Sequence, residues 1–503
     1  MNTISEKKWH TLFLIIAAGL LVRIYALDKS IWLDEGYSIV FAGLKLSEIF
    51  FLQDGNPPLY YSILHIWIRL FGNSEISIRM PSVISGLLAI WTMYRLGRDL
   101  FDQRTGILSA MILSLSVFHL DFSQEARTYS LTMLLTLLSM HAFIRLFSRQ
   151  DFGDFAVYIL SGTLLMYAHV YGLFIIIAQN IYYFSTLMLS GKSWLRPRIR
   201  QWIALQCILL LCFAPWIGVF VTQIGADQGA GIIEGAFSPV PDIRSLISTF
   251  LHYTAYDKPL FLLFLSLAFF AVFSLGRAAA MVFPMDLPVS DGSVPTLRYR
   301  KYFLLIWLII PVILPFIISR FTDPIYKSRY TAVAALAFYL LAARGIANIG
   351  RPSCRWIVIS LVIAFSLADI AKYHHGVNTE QWKEAAGYVE GNAAPDDLLL
   401  FNAGGCLDLV FNYYSRRTDL TKKKFPEKTR FVDEEGIKAL GPAIEGFRRV
   451  WVILSHSRDK GLIVKTLGAS HRLLHSRRYT SIRIYLFERR DASDAMAAMQ
   501  GMD

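Results

Sequence analysis

Residues 11–36, TLFLIIAAGLLVRIYALDKSIWLDEG, place an apolar run from Thr11 to Leu27 directly ahead of an adjacent acidic pair, Asp34 and Glu35. A helix that crosses a bilayer needs about 20 mostly apolar residues, and runs of this kind recur along most of the chain. Lys7 and Lys8 precede the first run and no clear small-residue cleavage site follows it, so it reads as a retained helix rather than a signal peptide. Carboxylates this close to a membrane are costly if they enter it. Asp34 and Glu35 are therefore either solvated loop charges or functional groups held at the membrane surface.

The composition fits a polytopic membrane protein. Of 503 residues, 54% are hydrophobic and only 17% charged, well below the usual quarter, and the mean hydropathy is +0.43. The net charge of +12 points to basic cytoplasmic loops, not to nucleic acid. Cys207, Cys212, Cys354 and Cys406 have no paired spacing, which argues against a structural zinc or a disulfide framework.

Basic clusters mark the cytoplasmic side: Lys7-Lys8, Arg95/Arg98/Arg104, Arg145/Arg149, Lys192/Arg196/Arg198/Arg200, Arg277 with Arg298/Arg300/Lys301, and Arg344/Arg351/Arg355. Each gap between clusters must hold an even number of crossings. Ile107–Phe118 pairs with Tyr129–Ile144, Phe155–Ala168 with Gly172–Leu189, Trp202–Val221 with Leu260–Leu275, and Tyr302–Ile318 with Tyr330–Ala343. Trp356–Ala371 then crosses once more. The first gap holds three apolar segments, Thr11–Leu27, Leu59–Phe71 and Pro81–Leu96. Leu59–Phe71 is the shortest and reads as interfacial or re-entrant. The expected fold is thus a polytopic α-helical membrane protein of about eleven transmembrane helices. Counts of twelve or thirteen stay open. The N-terminus is expected inside, and the loops after odd-numbered helices outside.

From about residue 373 the pattern changes to alternating helices and strands. Thr379–Asn392 reads as an amphipathic helix, Asp397–Phe401 and Val450–Leu454 as buried strands, Glu434–Phe447 as helical and Ile482–Phe487 as a closing strand. The expected division is a transmembrane domain over 1–372 and a small extracytoplasmic α/β domain over 373–503. Gly404-Gly405 lacks the spacing of a dinucleotide site, so a packing or acceptor-docking role is the expected one.

The unusual polar chemistry collects in the outward loops. In the pair Asp34-Glu35, a carboxylate at the membrane surface can act as a general base on an acceptor hydroxyl, and its neighbour can orient the acceptor or bind a cation. Asn56-Pro57-Pro58 sets an extended bend before Leu59 and Tyr60. The hexad Gln124-Glu125-Ala126-Arg127-Thr128-Tyr129 offers Arg127 to a phosphate, or else pairs it with Glu125 or Asp121. His169 sits at an outer turn, where a hydrogen-bonded structural role competes with a functional one. Between Arg320 and Tyr330 three cations, Arg320, Lys327 and Arg329, break the positive-inside trend, which suggests a bound anion such as a lipid phosphate.

Taken together, Trp32 to Glu35, Asn56 to Tyr61, Phe71-Gly72 through Ser77 to Ser82, Gln124 to Tyr129, His169 to Gly172 and Ser328 to Tyr330 resemble the GT-C superfamily of integral-membrane glycosyltransferases. The likeness is strongest to its bacterial branch, related to protein O-mannosyltransferases and lipid A aminoarabinose transferases. Trp382 to Asp397 is similar to the opening of the soluble domain that many bacterial members carry. The resemblance implies the GT-C fold in a bacterial inner (plasma) membrane, with the C-terminal domain periplasmic. It implies transfer of a sugar from a polyprenyl-phosphate donor, the carrier being undecaprenyl phosphate, to a glycan, lipid or protein acceptor. On this basis Asp34 and Glu35 are the catalytic candidates. Asn56, Tyr60, Gln124, Glu125, Arg127, Tyr129, His169, Lys327, Arg329 and Tyr330 are candidates for binding substrate. Related aminoarabinose transferases carry a Lys where Asn56 stands, which shifts phosphate binding onto the arginines and argues against aminoarabinose as the sugar. No metal is required by these residues, although Glu35 with His169 offers ligands for a divalent one. A transporter or flippase of a lipid-linked sugar is the alternative, but no internal repeat accompanies it.

Overall fold

The computed structural model describes residues 2–52, 55–148, 151–190, 199–226, 239–273, 297–376, 379–402, 407–426, 432–457, 459 and 461–490. Lys192, Arg196 and Arg198, Arg149, Arg277, Gly404-Gly405 and Cys406 lie outside the described residues. The helices in chain order are α1 (Asn2–Ile24), α2 (Leu33–Gly43), α3 (Leu46–Phe50), α4 (Leu59–Phe71), α5 (Glu75–Leu100), α6 (Gln103–Leu115), α7 (Val117–Ser123), α8 (Tyr129–Ser148), α9 (Phe152–Ala168) and α10 (Gly172–Ser190). They continue as α11 (Ile199–Ala226), α12 (Ile243–His252), α13 (Lys258–Phe273), α14 (Leu297–Ile318), α15 (Ala332–Asn348), α16 (Pro352–His375), α17 (Trp382–Asn392), α18 (Leu407–Tyr414), α19 (Leu440–Ile444) and α20 (Leu462–Ser470). Two compact units result: Met1–Leu27 with Leu44–His375, and Asp28–Gly43 with Gly376–Asp503.

The first unit is helical. Its centre is α15, whose sequence AVAALAFYLLAARGIAN is apolar on every side and buried along nearly its whole length, as a helix without a polar face must be. Close packing depends on small residues. A Cβ added at Gly106 of α6 would lie 2.6 Å from the Tyr94 carbonyl oxygen of α5, so the two backbones touch only because Gly106 has no side chain. Large apolar side chains such as Phe13, Leu21, Leu211, Phe269 and Trp356 remain exposed, more apolar surface than a water-soluble monomer shows.

Among the described residues, five helices are long and apolar enough to cross a membrane: Glu75–Leu100, Tyr129–Leu146, Ile199–Thr222, Arg300–Ile318 and Pro352–His375. Counting α6 and α7 as one span gives six, against the eleven expected. The difference lies in helix length. Among the stretches whose side chains are described, the apolar parts Trp9–Ile24, Phe152–Ala168, Gly172–Met188, Lys258–Phe273 and Ala332–Asn348 are shorter, and Leu59–Phe71 is short as expected.

The bend of 62° between α6 and α7 is built by Ser116. Its backbone is extended, and its hydroxyl caps α7 by accepting the His119 amide at 3.2 Å. The carbonyls freed by the break need donors, and Arg23 of α1 supplies them. Its fully buried guanidinium donates to the carbonyl oxygens of Gly19 (3.0 Å), Ser114 (3.2 Å) and Leu113 (3.5 Å) and to Ser123 Oγ (3.3 Å), and lies 2.7 Å from His119 Nδ1. Gln124, after α7, reciprocates: its Nε2 donates to the carbonyls of Arg23 (2.9 Å) and Tyr25 (2.8 Å), past the end of α1.

The second unit carries a five-stranded sheet: β1 (Leu398–Asn402), β2 (Thr421–Lys424), β3 (Arg449–Ser455), β4 (His471–Tyr479) and β5 (Ile482–Arg489), in the order β2-β1-β3-β5-β4. β1 runs parallel to β2 and β3, and β5 is antiparallel to β3 and β4. β1 is buried at every position, as expected of a strand covered on both faces. Leu398, Leu400, Val450, Val452 and Leu454 pack with Leu440, Ile444, Ile463 and Leu467 on one face. The helix expected over Glu434–Phe447 is broken into a short 3-10 turn, Gly436–Ala439, and α19. This unit also contains α2, with Asp34 and Glu35.

Arg23→Ala leaves several buried carbonyls without donors. Each unsatisfied buried group costs about 1–3 kcal/mol, so the variant is expected to unfold several degrees below the parent in a thermal melt of the detergent-solubilised protein.

Candidate functional site

In the second unit the acidic pair opens a helix and is not a loop. Trp32 is the N-cap of α2: its carbonyl accepts the Gly36 amide at 3.0 Å, and its own amide donates to Glu35 Oε2 at 3.4 Å. Glu35 thus makes the return half of a capping box. Both carboxylates stand in the first turn, where the helix dipole favours negative charge. Asp34 is 4% exposed and Glu35 fully buried. The Ile31 amide donates to Tyr414 Oη (2.8 Å), the Leu33 amide to Glu380 Oε2 (3.3 Å), and Ser30 Oγ accepts the Lys383 amide (3.1 Å). Gly36 lies against α18, where an added Cβ would be 2.4 Å from Val410 Cγ2. Residues 30–36 are therefore stitched to α17, α18 and the turn before them.

In the first unit, the Gln124–Tyr129 turn is fixed from behind. Tyr60 Oη lies 2.9 Å from Ser82 Oγ, which donates to the Arg127 carbonyl at 3.2 Å. Ser82 has one hydroxyl hydrogen, so Tyr60 donates to it. Thr128 Oγ1 donates to the Ala168 carbonyl at 2.7 Å. Gln124 Oε1 accepts from Tyr373 Oη at 3.1 Å while its amide caps α1. Of the residues expected to touch substrate, Tyr60 bonds the Ser82 hydroxyl and Gln124 bonds the backbone at the end of α1. Asn56 is half-buried just before the buried Pro57-Pro58 pair that starts α4, and Glu125 is half-buried in the turn.

Arg127, Tyr129, His169, Lys327, Arg329 and Tyr330 come together. The Tyr129 and Tyr330 rings stack 6.2 Å apart, and His169 meets Tyr330 edge-on at 4.9 Å. Lys327 Nζ and Arg329 Cζ lie 5.4 and 5.5 Å from the Tyr330 ring centre, within cation–π range. The loop carrying these cations is pinned at both ends. Ser319 Oγ accepts the amides of Ile325 and Tyr326, Tyr171 Oη donates to the Ile325 carbonyl at 3.1 Å, and Tyr253 Oη donates to Thr331 Oγ1 at 2.7 Å.

His169 is 2% exposed. Burial, then the charges of Arg127 and Arg329, lower its pKa to about 3, so the ring is neutral at physiological pH. Its Nδ1 accepts the Tyr171 amide at 3.1 Å. The proton therefore sits on Nε2, which is buried and has no hydrogen-bond partner among the described residues. His252, 3.1 Å from Ser328 Oγ through Nδ1, is lowered to about 4 by burial and Arg329. An N–H donor in the field of two guanidiniums is chemistry for an anion.

Arg23, His119, Ser82, His252 and Glu380 were not singled out in the sequence. Arg23 alone left a signal there, a charge inside an apolar run. Among the described residues, no group of three or more His, Cys, Asp or Glu side chains comes together to hold a metal ion.

Residues 55–218 match the family model for dolichyl-phosphate-mannose-protein mannosyltransferase. No curated protein matches the chain. Among solved structures, ArnT from Cupriavidus metallidurans bound to undecaprenyl phosphate is similar, with a TM-score of 0.60 at 12% identity, over 94% of this chain and 97% of that one. The archaeal oligosaccharyltransferase AglB from Archaeoglobus fulgidus, in complex with an inhibitory peptide and a dolichol-phosphate, gives 0.59 at 11% identity, over 96% of this chain and 74% of that one. Its apo form gives 0.53 at 11% identity. The chain therefore shares the fold of these solved structures, mostly helical with a small C-terminal sheet, and residues 55–218 are similar to the mannosyltransferase family.

Proposed function

We propose that this protein is a membrane glycosyltransferase that moves a sugar from a polyprenyl-phosphate carrier to an acceptor hydroxyl on the outer face of a bacterial inner membrane. The observation that carries the reading is the buried Nε2–H of His169, without an acceptor among the described residues, beside Arg127 and Arg329. A carrier phosphate is an anion with oxygens to accept that donor and both guanidiniums. The fold shared with two proteins whose structures hold undecaprenyl phosphate and dolichol-phosphate supports the same ligand class.

The reaction is a single displacement. Asp34 takes the proton of the acceptor hydroxyl, and the oxygen forms a bond to the anomeric carbon. The bond from that carbon to the phosphate oxygen breaks, and its electron pair leaves with polyprenyl phosphate. Arg127, Lys327, Arg329 and the His169 N–H stabilise the charge that develops there. The anomeric configuration inverts. Glu35, committed to the capping interaction with Trp32, holds the turn that presents Asp34. In this reading the chain crosses eleven times, with the N-terminus cytoplasmic and the sheet-bearing unit periplasmic. The five long spans, the bent pair and five of the six shorter apolar helices make up these crossings, with Leu59–Phe71 at the interface.

The test is transfer by the purified protein from a panel of polyprenyl-phosphate-linked sugars to cell-envelope acceptors. Asp34→Asn is expected to lower kcat by about 100-fold or more with the affinity for undecaprenyl phosphate unchanged. Full activity in that variant sinks the base assignment, and sugar flux across vesicles without transfer favours a flippase. Charge-assisted hydrogen bonds contribute about 1.5–3 kcal/mol, so Arg329→Ala is expected to weaken undecaprenyl phosphate binding at least tenfold in a calorimetric titration.

The histidine makes a pH prediction. A folded-state pKa of about 3 against an ordinary 6.5 means that the unfolded chain takes up a proton first as pH falls. Stability from His169 is fully present above about 6.5 and is lost progressively as pH drops toward 3. His169→Gln is expected to flatten that part of the melting-temperature profile.

A further inference from the structure

We infer that Glu380 and His456 of the C-terminal unit are positioning residues for the acidic turn of α2. This rests on the reading of Asp34 as the base and adds how its helix is aimed. Glu380 Oε2 accepts the Leu33 amide at 3.3 Å, the first helical amide of α2 and the residue before Asp34. The same oxygen accepts Trp382 Nε1 at 2.6 Å, and Oε1 lies 2.5 Å from His456 Nε2. Glu380 is thus held from two sides, by a fully buried indole and by an imidazole, while it holds the helix start.

Two further features separate this arrangement from ordinary packing. His456 follows the carboxyl end of β3 directly, and its backbone lies in the left-handed region at φ 50°. Non-glycine residues adopt that conformation rarely, and such outliers gather where geometry serves function. The bond to Leu33 is also a carboxylate contact to a helix N-terminus supplied by a residue 347 positions away. A local cap would fix the turn's shape. A cap from another element also fixes its direction, and that sets where the Asp34 carboxylate points. A shift of about 1 Å in a reacting group can cost about 100-fold in rate.

The experiment uses the full chain with Glu380→Gln and His456→Asn. The histidine side chain is 45% exposed, and asparagine tolerates positive φ, so the second variant is expected to fold. Hydrogen exchange read by mass spectrometry should show faster exchange of the peptide spanning 31–36 in both variants. The sheet peptides over 398–402 and 449–455 should keep their parental rates. With whichever polyprenyl-phosphate sugar the parent turns over, kcat should fall about tenfold or more while the donor KM stays within about twofold. Unchanged exchange at 31–36, or a loss of activity that appears as KM with kcat intact, overturns the proposal. Equal loosening of 31–36 and the sheet also overturns it, since that reports general destabilisation. Asp34→Asn, run alongside, separates the two ideas. An active Asp34→Asn removes the base assignment while the exchange result still stands or falls alone. An inactive Asp34→Asn beside fully active Glu380 and His456 variants removes only the positioning role.

Discussion

Breaking a helix inside an apolar bundle frees carbonyls that no water reaches, and the arrangement of the first unit follows from how this is resolved. Arg23 enters the break between α6 and α7 with a guanidinium whose several donors meet carbonyls on two helices. Gln124 then returns two hydrogen bonds to the end of α1. The exchange is reciprocal, so the end of α1 and the turn after α7 cannot move independently. Arg127 lies three residues beyond Gln124 in that turn. The position of a candidate phosphate ligand thus depends on a cation that touches no ligand itself. An arginine suits the task because its planar fork reaches several acceptors at once, which an ammonium does not.

The two kinds of chemistry are mounted differently. The cations stand on loops, but loops tied down at both ends by tyrosine and serine hydroxyls: Tyr171, Tyr253 and Ser319 bind backbone or threonine on either side of Lys327 and Arg329. The carboxylates stand on a short helix whose first amides are taken up by side chains. In both places hydrogen bonds from groups outside the charged residues hold the backbone that carries them.

Some of this was legible in the sequence. The buried strands β1 and β3 appeared as unbroken apolar runs, and α4 was visible at its true length. Arg127, His169 and Arg329, singled out separately from the chemistry of three loops, are close in space. Other features left no pattern. β2 reads TKKK, and most of β4 is exposed, because edge strands need no apolar alternation. The start of α2 was invisible because its N-cap is Trp32, outside the usual capping residues, and its first amide, that of Leu33, is satisfied by Glu380 far along the chain. The bonds of Tyr60 to the Ser82 hydroxyl and of Gln124 to the carbonyls of Arg23 and Tyr25 were not visible either, since nothing in a sequence says which groups a polar side chain meets. The count of crossings rested on apolar composition, and several of the apolar helices, such as α9 and α15 at 17 residues each, are shorter than a full span.

The acidic helix belongs to the unit completed last. The Ile31 amide rests on Tyr414, 383 residues later. At synthesis rates of about 5–20 residues per second, roughly 20–80 s separate the two on the ribosome. For most of that interval, until Glu380 and α17 emerge, α2 has no surface of its own unit to settle on, whereas the turn that carries Arg127 can already close against α1. The order of translation therefore leaves the carboxylates unplaced until late, and a chain stopped before α18 would hold its cations in register without a mounted acid.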